Sequence, residues 1–355
     1  MSTNTAAAHA SASERRVADR TRPARPRPPW RRALSFGNIG AVYVWLLIVV
    51  VFAVWVPNTF PTRTTFEQIL NNNAVTGLIA LSVVIPLAAR VFDLSVAFTM
   101  TLSGVVAAHF VAHSGVGVVP AVALALGTAL AIGLVNAFVV VGMGVDSFIG
   151  TLATGSLIQA LITMVTKDQS ITGVKLLQAP FSSIAQTDLG GLTLPVLYLL
   201  VIAGAIWFVL EHTATGRRLY ATGFNPDAAR LQSVATDRLR FLSLITSSLL
   251  AGVAGIVFTS AIGSGSPTAG DPYLLAAYAA AFLGATQLRG GRFNAWGTVI
   301  AVLLLGTGTT GLSLASTPQW STSVFTGVVL IVALAVTSGR VRVPARLRRS
   351  AAIAD

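Results

Sequence analysis

The sequence contains no cysteine, so it has no disulfide framework, no thiol nucleophile and no thiolate metal site. Charge is nearly as scarce. Asp, Glu, Lys and Arg make up 10% of the 355 residues, against about 25% in an ordinary soluble domain, which leaves too few charges to cover a water-facing surface. Lysine occurs only at Lys167 and Lys175, and no GxxxxGK[ST] segment is present, so the chain has no loop of its own for ATP phosphates. The four histidines, His9, His109, His113 and His212, lack triad or metal spacing. His109 and His113 share a helix face, but without a nearby carboxylate they read as a polar helix end. Paired carboxylates and nucleophile–base spacings are also missing, which argues against an enzyme.

What fills the chain is apolar. Hydrophobic residues make up 54% of it, in blocks near the roughly 20 residues that cross a hydrocarbon core. Segments at about 39–56, 72–89, 94–111, 118–141, 147–165, 192–210, 241–262, 272–288, 295–314 and 320–338 predict an all-α polytopic membrane bundle of about ten transmembrane helices. The 17 Phe and 32 Gly supply the aromatic and small residues that such bundles pack with. Segments 72–89 and 94–111 are so close that they are expected to be bent or partly re-entrant. The segment at 147–165 carries Thr151, Thr154, Ser156, Gln159 and Thr163 and is expected to face the bundle interior.

The net charge of +12 is unevenly placed. Arg15, Arg16, Arg20, Arg22, Arg25, Arg27, Arg31 and Arg32 lie among Pro, Ala and Ser, so residues 1–36 read as a disordered basic tail. The tail is too proline-rich for a signal peptide, and the apolar block after it reads as a retained helix. Residues 37–338 form the predicted membrane domain and 339–355 a second tail. With ten spans, 21 of the 24 basic residues fall on the side of both tails, opposite Arg63, Lys167 and Lys175. Eight of the 12 acidic residues share that side, as expected where Lys and Arg alone set orientation. Both termini are therefore expected in the cytoplasm, with the tails drawn to anionic lipid rather than to nucleic acid.

Two loops stand out. Residues 166–191, with Pro180 and Gly190–Gly191 as breakers, form the largest external loop. Residues 211–240 form the largest internal one. There Asn225 suits an N-cap, Pro226 the first helical position and Asp227 the first turn, predicting a short helix at about 226–234. Ala228, Ala229, Leu231 and Gln232 are available on its faces. On physics alone it either docks a soluble partner or simply terminates the loop.

Here a resemblance becomes specific. Gly216-Arg-Arg-Leu-Tyr-Ala-Thr-Gly-Phe-Asn-Pro-Asp-Ala-Ala-Arg-Leu resembles the coupling segment, close to GRxxYAxGGNxxAARLSGI, of permease subunits of ABC importers for ribose, xylose, galactose and related solutes. Phe92-Asp-Leu-Ser-Val resembles their IDLSVG. Asn136-Ala-Phe with Ser147-Phe-Ile-Gly-Thr-Leu resembles their NA…PSFIVTLG. The stretches beginning at Gly263 and Leu283 resemble two further family blocks in the family's order. The resemblance covers roughly residues 40–338 and implies a pair of permease chains, identical or different, each of the compact ten-helix importer type. It also implies a cytoplasmic ATPase that uses ATP and Mg, an extracytoplasmic solute-binding protein, a small polar solute such as a sugar, and a bacterial cell membrane. No cofactor is expected in this chain.

By resemblance, Gly223, Asn225, Pro226, Ala228, Ala229, Arg230 and Leu231 belong to the ATPase-coupling segment. Phe224 stands where the family has a second glycine, and Ser233-Val234-Ala235 replaces its SGI. Arg90 and Val91 replace the glycines before the IDLS block, so a different local shape is expected at that turn. A passage for the solute is expected from weakly polar side chains on apolar helices, with Phe92, Ser95, Thr99, Asn136, Thr151, Gln159 and Thr307 as candidates. Hydroxyls and amides exchange hydrogen bonds with a sugar-like solute without trapping it, and for each the alternative role is glue between helices. Asn136 leads the set, because an amide inside a span requires a partner. No buried Lys, Arg, Asp or Glu is expected near the midplane of any predicted span, which disfavours a proton-coupled antiporter. A stand-alone secondary transporter remains the second reading. Asp271-Pro272 is expected to cap and begin the eighth span, and glycines at 127–133, 252, 255, 306, 308 and 311 are read as packing or hinge positions.

Overall fold

The computed structural model describes residues 36–288 and 291–337; both basic tails and Arg289 lie outside the described residues. The long helices are α1 (Phe36–Trp55), α2 (Arg63–Ala88), α3 (Val96–His113), α4 (Val118–Ala137) and α5 (Ser147–Thr166). An outer segment follows with β1 (Ile171–Thr172), α6 (Val174–Leu177) and α7 (Ser183–Gln186). Then come α8 (Leu194–His212), α9 (Ala214–Phe224), α10 (Pro226–Leu231), α11 (Thr236–Ile262) and β2 (Ser264–Gly265). The chain ends with α12 (Tyr273–Ala285), α13 (Ala295–Leu314) and α14 (Trp320–Thr337). Each of the ten expected apolar segments is a helix. Seven are long and apolar enough to cross a membrane, and α1, α12 and α14 carry shorter apolar stretches.

Burial follows from how apolar each helix is around its circumference. Every residue of α2 from Gly77 to Ala88 is buried, so this half of the helix lies at the centre, in contact with α8, α11, α12 and α13. Its first half is polar and starts earlier than hydropathy suggests, capped by Thr62, whose Oγ1 accepts from the Thr65 amide at 3.2 Å. Helix α11 is the other hub and carries α2, α3 and α4 on its sides. Consecutive helices α2 and α3 pack on α11 rather than as a simple hairpin. Helices α4 and α8 turn Leu124, Leu130, Leu134, Val201 and Phe208 outward, as a surface against lipid or another chain would require.

Small residues let the hubs approach. A Cβ on Gly255 would lie 2.0 Å from the Met100 carbonyl oxygen, so α3 and α11 cross backbone to backbone. Gly133, Gly252, Gly306, Gly308 and Gly311 also sit against neighbouring atoms, whereas a Cβ on Gly127 would meet no described atom of this chain within 4 Å.

Two helix starts differ from expectation. Helix α12 begins at Tyr273 after Pro272, and Asp271 makes no capping bond, because residues 267–272 form their own turn. Helix α12 has only 13 residues, about 20 Å at 1.5 Å per residue, short of a hydrocarbon core of about 30 Å. Irregular chain precedes α12 and is held by hydrogen bonds to other elements. Gly265 and Ser264 pair with Ile171 and Thr172 of the outer segment, and the Gly270 amide donates to Thr101 Oγ1 at 2.9 Å.

Candidate functional site

The end of α2 sets the geometry. Pro86 cannot donate a hydrogen bond, and the helix closes within three residues. The Val91 amide donates to the Pro86 carbonyl at 2.8 Å and the Arg90 amide to Leu87 at 3.0 Å, the bond pair of a Schellman motif. Arg90 occupies its left-handed position, with φ of 58°. Arginine here takes the left-handed conformation that glycine favours.

The turn delivers residues 92–95 into a buried polar node. Asp93 and Ser95 are completely buried. Asp93 Oδ1 accepts from the Ser95 amide at 3.1 Å and from Ser95 Oγ at 2.6 Å. Asn136 Nδ2 of α4 donates to Ser95 Oγ at 2.7 Å, and Thr154 Oγ1 of α5 donates to Asn136 Oδ1. The Phe92 and Leu94 amides donate to Ser147 Oγ and Thr151 Oγ1 at 3.1 and 3.0 Å. Tyr278 of α12 bonds the Asp93 backbone on both sides, accepting from its amide at 3.1 Å and donating to its carbonyl at 2.8 Å. Ser247 of α11 faces the same carboxylate. Four helices thus meet at one turn. Beyond Asn136, α4 widens into a π-helical turn at Phe138–Gly142, a distortion often found beside functional positions.

Of the expected passage residues, Phe92, Ser95, Asn136 and Thr151 converge here. Thr99 returns its hydroxyl to the Ser95 carbonyl at 2.9 Å, a bond along its own helix. Gln159 is half-buried a turn beyond Thr154 and outside the node. Thr307 lies elsewhere, accepting from Trp45 Nε1 at 2.8 Å where α1 packs on α13. Trp45→Phe should therefore cost about 1 kcal/mol, the usual net value of one hydrogen bond, read by thermal denaturation in detergent. Helix α5 faces the interior along Ser147, Thr151, Thr154, Ile158 and Ile162, while Leu157, Met164 and the expected interior residue Ser156 are exposed on the opposite side.

Asp93 lies in the turn between α2 and α3, and the turn itself is enclosed, so the carboxylate is fully buried. Its Oδ2 has no hydrogen-bond partner among the described residues, nor do Ser247 and Ser248 Oγ. Two sequence signals pointed here: an Asp two residues before a Ser at a helix start, which forms an Asx-type turn, and the Ser247-Ser248 pair in an otherwise apolar helix.

The second candidate region is the 211–240 loop, which holds two helices where one was expected. Thr213 Oγ1 caps α9 by accepting from the Gly216 amide at 3.2 Å. Asn225 Oδ1 caps α10 by accepting from Ala228 at 3.0 Å, with Pro226 and Asp227 in its first turn. Helix α10 stops at Leu231, short of 234, because Ser233 turns left-handed with φ of 58°. Arg230 reaches Thr236 Oγ1 at 2.8 Å and Asp237 Oδ1 at 2.7 Å, tying α10 to the start of α11. Ala229 is buried beneath it, while Leu231 is 86% and Phe224 90% exposed. A Cβ on Gly223 would lie 2.1 Å from the Ala88 carbonyl, so α9 rests directly on the end of α2.

A family model described as "Branched-chain amino acid transport system / permease component" matches residues 65–334. The chain belongs to this permease family. It is 32% identical over 292 residues to the ribose import permease protein of Escherichia coli strain K12, covering 82% of this chain and 90% of that one. It is 29% identical over 311 residues to the D-allose transport system permease protein of the same strain, covering 87% and 94%. The fructose import permease protein of Rhizobium meliloti is 29% identical over 300 residues, covering 82% and 83%. The match favours a permease subunit over a stand-alone carrier. In this permease the node and the α9–α10 loop are joined through Gly223, Ala88 and the turn at 89–95.

Proposed function

We propose that this chain is the membrane-spanning subunit of an ATP-driven importer of a monosaccharide or similar small polar solute. Its relatives named for ribose, D-allose and fructose transport support that solute class. In this reading a second permease chain completes the pore, an extracytoplasmic binding protein delivers the solute, and a separate ATPase supplies ATP and Mg chemistry. The loop 211–240 and both termini face the cytoplasm, an orientation supported by the basic residues gathered on that side.

One observation carries the coupling assignment: a capped, tethered helix flanked by two almost fully exposed apolar side chains, Phe224 and Leu231. Such residues, fixed on a rigid element, suit insertion into a partner's cleft. Motion of α10 would pass through α9 to Ala88 and thence to the node, biasing the bundle between two arrangements. The ATPase-coupling set divides accordingly, with Leu231 presented outward, Asn225, Pro226, Ala228, Ala229 and Arg230 shaping the helix, and Gly223 seating it.

The test is the double substitution Phe224→Ser with Leu231→Ser. Exposed positions shift stability by only about 0.5 kcal/mol, so the permease should fold, while losing two anchors should weaken co-isolation with the ATPase and ATP-linked uptake by about thirtyfold or more. Uptake within twofold of the parent would remove the docking assignment.

A further inference from the structure

Between the ends of α2 and α8, helix α9 and the turn before α13 lies a cleft of about 620 Å³. Leu87 and Leu210, at 5% and 2% exposure, belong to the bundle core and form its floor. Its rim is basic. Arg90, Arg217 and Arg292 are exposed there, each from a different segment, with Glu211 the only acid among the described lining residues. Among the described residues none of the three arginines has a carboxylate within ion-pair distance. Two of them are held in place. The Arg292 guanidinium lies 5.4 Å from the centre of the Tyr220 ring, and Tyr220 is fixed by donating to the Phe293 carbonyl at 2.7 Å. Arg90 is set by the left-handed position of the Schellman motif, which favours glycine, so the backbone bears a cost for carrying this side chain to the rim.

Gly223 and Phe224 line the same cleft. Phe224 is 90% exposed and directly precedes the Asn225 cap of α10. A partner that covers Phe224 therefore closes over the arginines as well. Taking three guanidinium groups out of water without opposite charge is strongly unfavourable. An apolar or basic cover would lose there what the apolar anchors gain. Carboxylates remove the penalty, because a guanidinium donates two parallel N–H bonds to the two oxygens of one carboxylate.

We infer that the ATPase surface that receives Phe224 carries acidic side chains which reach this cleft and pair with Arg90, Arg217 and Arg292. The inference rests on the docking reading of α10 and adds the chemistry of the partner's surface: apolar where it takes Phe224 and Leu231, anionic beside them. Attraction between the basic rim and the acidic face speeds encounter and fixes the register of α10, while the apolar anchors hold the complex. Because α9 forms one wall and is seated on Ala88 by Gly223, these pairs also grip the junction between the coupling loop and the node.

The test takes the purified full-length permease and the ATPase that co-isolates with it, and measures their dissociation constant across a salt series. Parent binding should weaken steeply as salt rises, because salt screens the opposed charges. Arg217→Gln with Arg292→Gln should bind about tenfold more weakly at low salt and lose most of the salt dependence. Arg217→Lys with Arg292→Lys keeps the charges and should keep the slope, which separates charge from packing. Arg90→Gly should weaken low-salt binding about threefold or more, while the melting temperature of the permease alone stays at or above the parent's, since the left-handed strain is relieved. Parent binding that ignores salt overturns the inference. So does a glutamine variant with the parent's affinity and slope, or a lysine variant that behaves like the glutamine one. The docking reading falls separately, if Phe224→Ser with Leu231→Ser binds as tightly as the parent whatever the slope. A parent that retains no ATPase overturns both.

Discussion

Asp93→Ala is expected to lower the melting temperature of the detergent-solubilised permease by about 5–10 °C, the scale set by losing two buried hydrogen bonds and leaving their donors unpaired. Asp93→Asn is expected to stay within about 2 °C of the parent. The contrast follows from the two carboxylate oxygens. Oδ1 takes the Ser95 amide and hydroxyl at 3.1 and 2.6 Å, and an asparagine carbonyl preserves both bonds. Among the described residues Oδ2 makes no hydrogen bond of normal geometry, and neither does Ser247 Oγ, which faces the same carboxylate. An amide N–H₂ at the Oδ2 position could donate to that hydroxyl. Alanine removes the bonded oxygen with the orphan one and releases Ser95, which also holds Asn136. Equal losses in the two variants would show that the node depends on the carboxylate charge rather than on its hydrogen bonds. Uptake by Asp93→Asn then separates roles: a stable but inactive variant would mark Asp93 as a working group rather than a structural one.

Gly223→Val should leave the ATPase bound and abolish most transport. The added Cβ would fall 2.1 Å from the Ala88 carbonyl oxygen, which is backbone and cannot swing aside. Helix α9 must lift or tilt, at a cost of about 1–3 kcal/mol typical of overpacking. Phe224 and Leu231 remain exposed, so the docking surface survives while its seat on α2 does not. Uptake should fall about tenfold or more, since about 1.4 kcal/mol corresponds to tenfold, with co-isolation of the ATPase unchanged. Uptake and co-isolation falling together would place Gly223 in the docking surface itself; neither falling would remove the Ala88 contact from the coupling route.

These two residues show what could be read before the structure and what could not. The apolar blocks located every long helix because a membrane span is written in one property over about 20 residues. Asn225, Pro226 and Asp227 gave the start of α10 because capping is local. Helix α9 was missed because residues 214–224 are few and mix arginine, threonine and glycine with an apolar face of only two turns. The burial of Asp93 was missed because it depends on Tyr278, Asn136 and Ser247, which come from three helices distant in sequence. Thr307 and Asn136 looked alike as polar residues in apolar helices. Only tertiary packing separates the one beside Trp45 from the one beside Ser95.

The short helix α12 has a consequence for how the outer surface can vary. Loops between spans normally tolerate trimming, because no backbone inside the bundle depends on them. Residues 166–193 do not have that freedom. Their strand at Ile171–Thr172 supplies the hydrogen-bonding edge for Ser264–Gly265, in the irregular stretch before α12. Removing the loop would strip those partners and uncover Gly265, which is buried. Insertions and deletions should accordingly be borne at the exposed residues 187–190 before they are borne at 171–172 or at 181–182, where Phe181 is fully buried and its carbonyl accepts from Ser260 Oγ at 2.7 Å, and a graded deletion series would map this order.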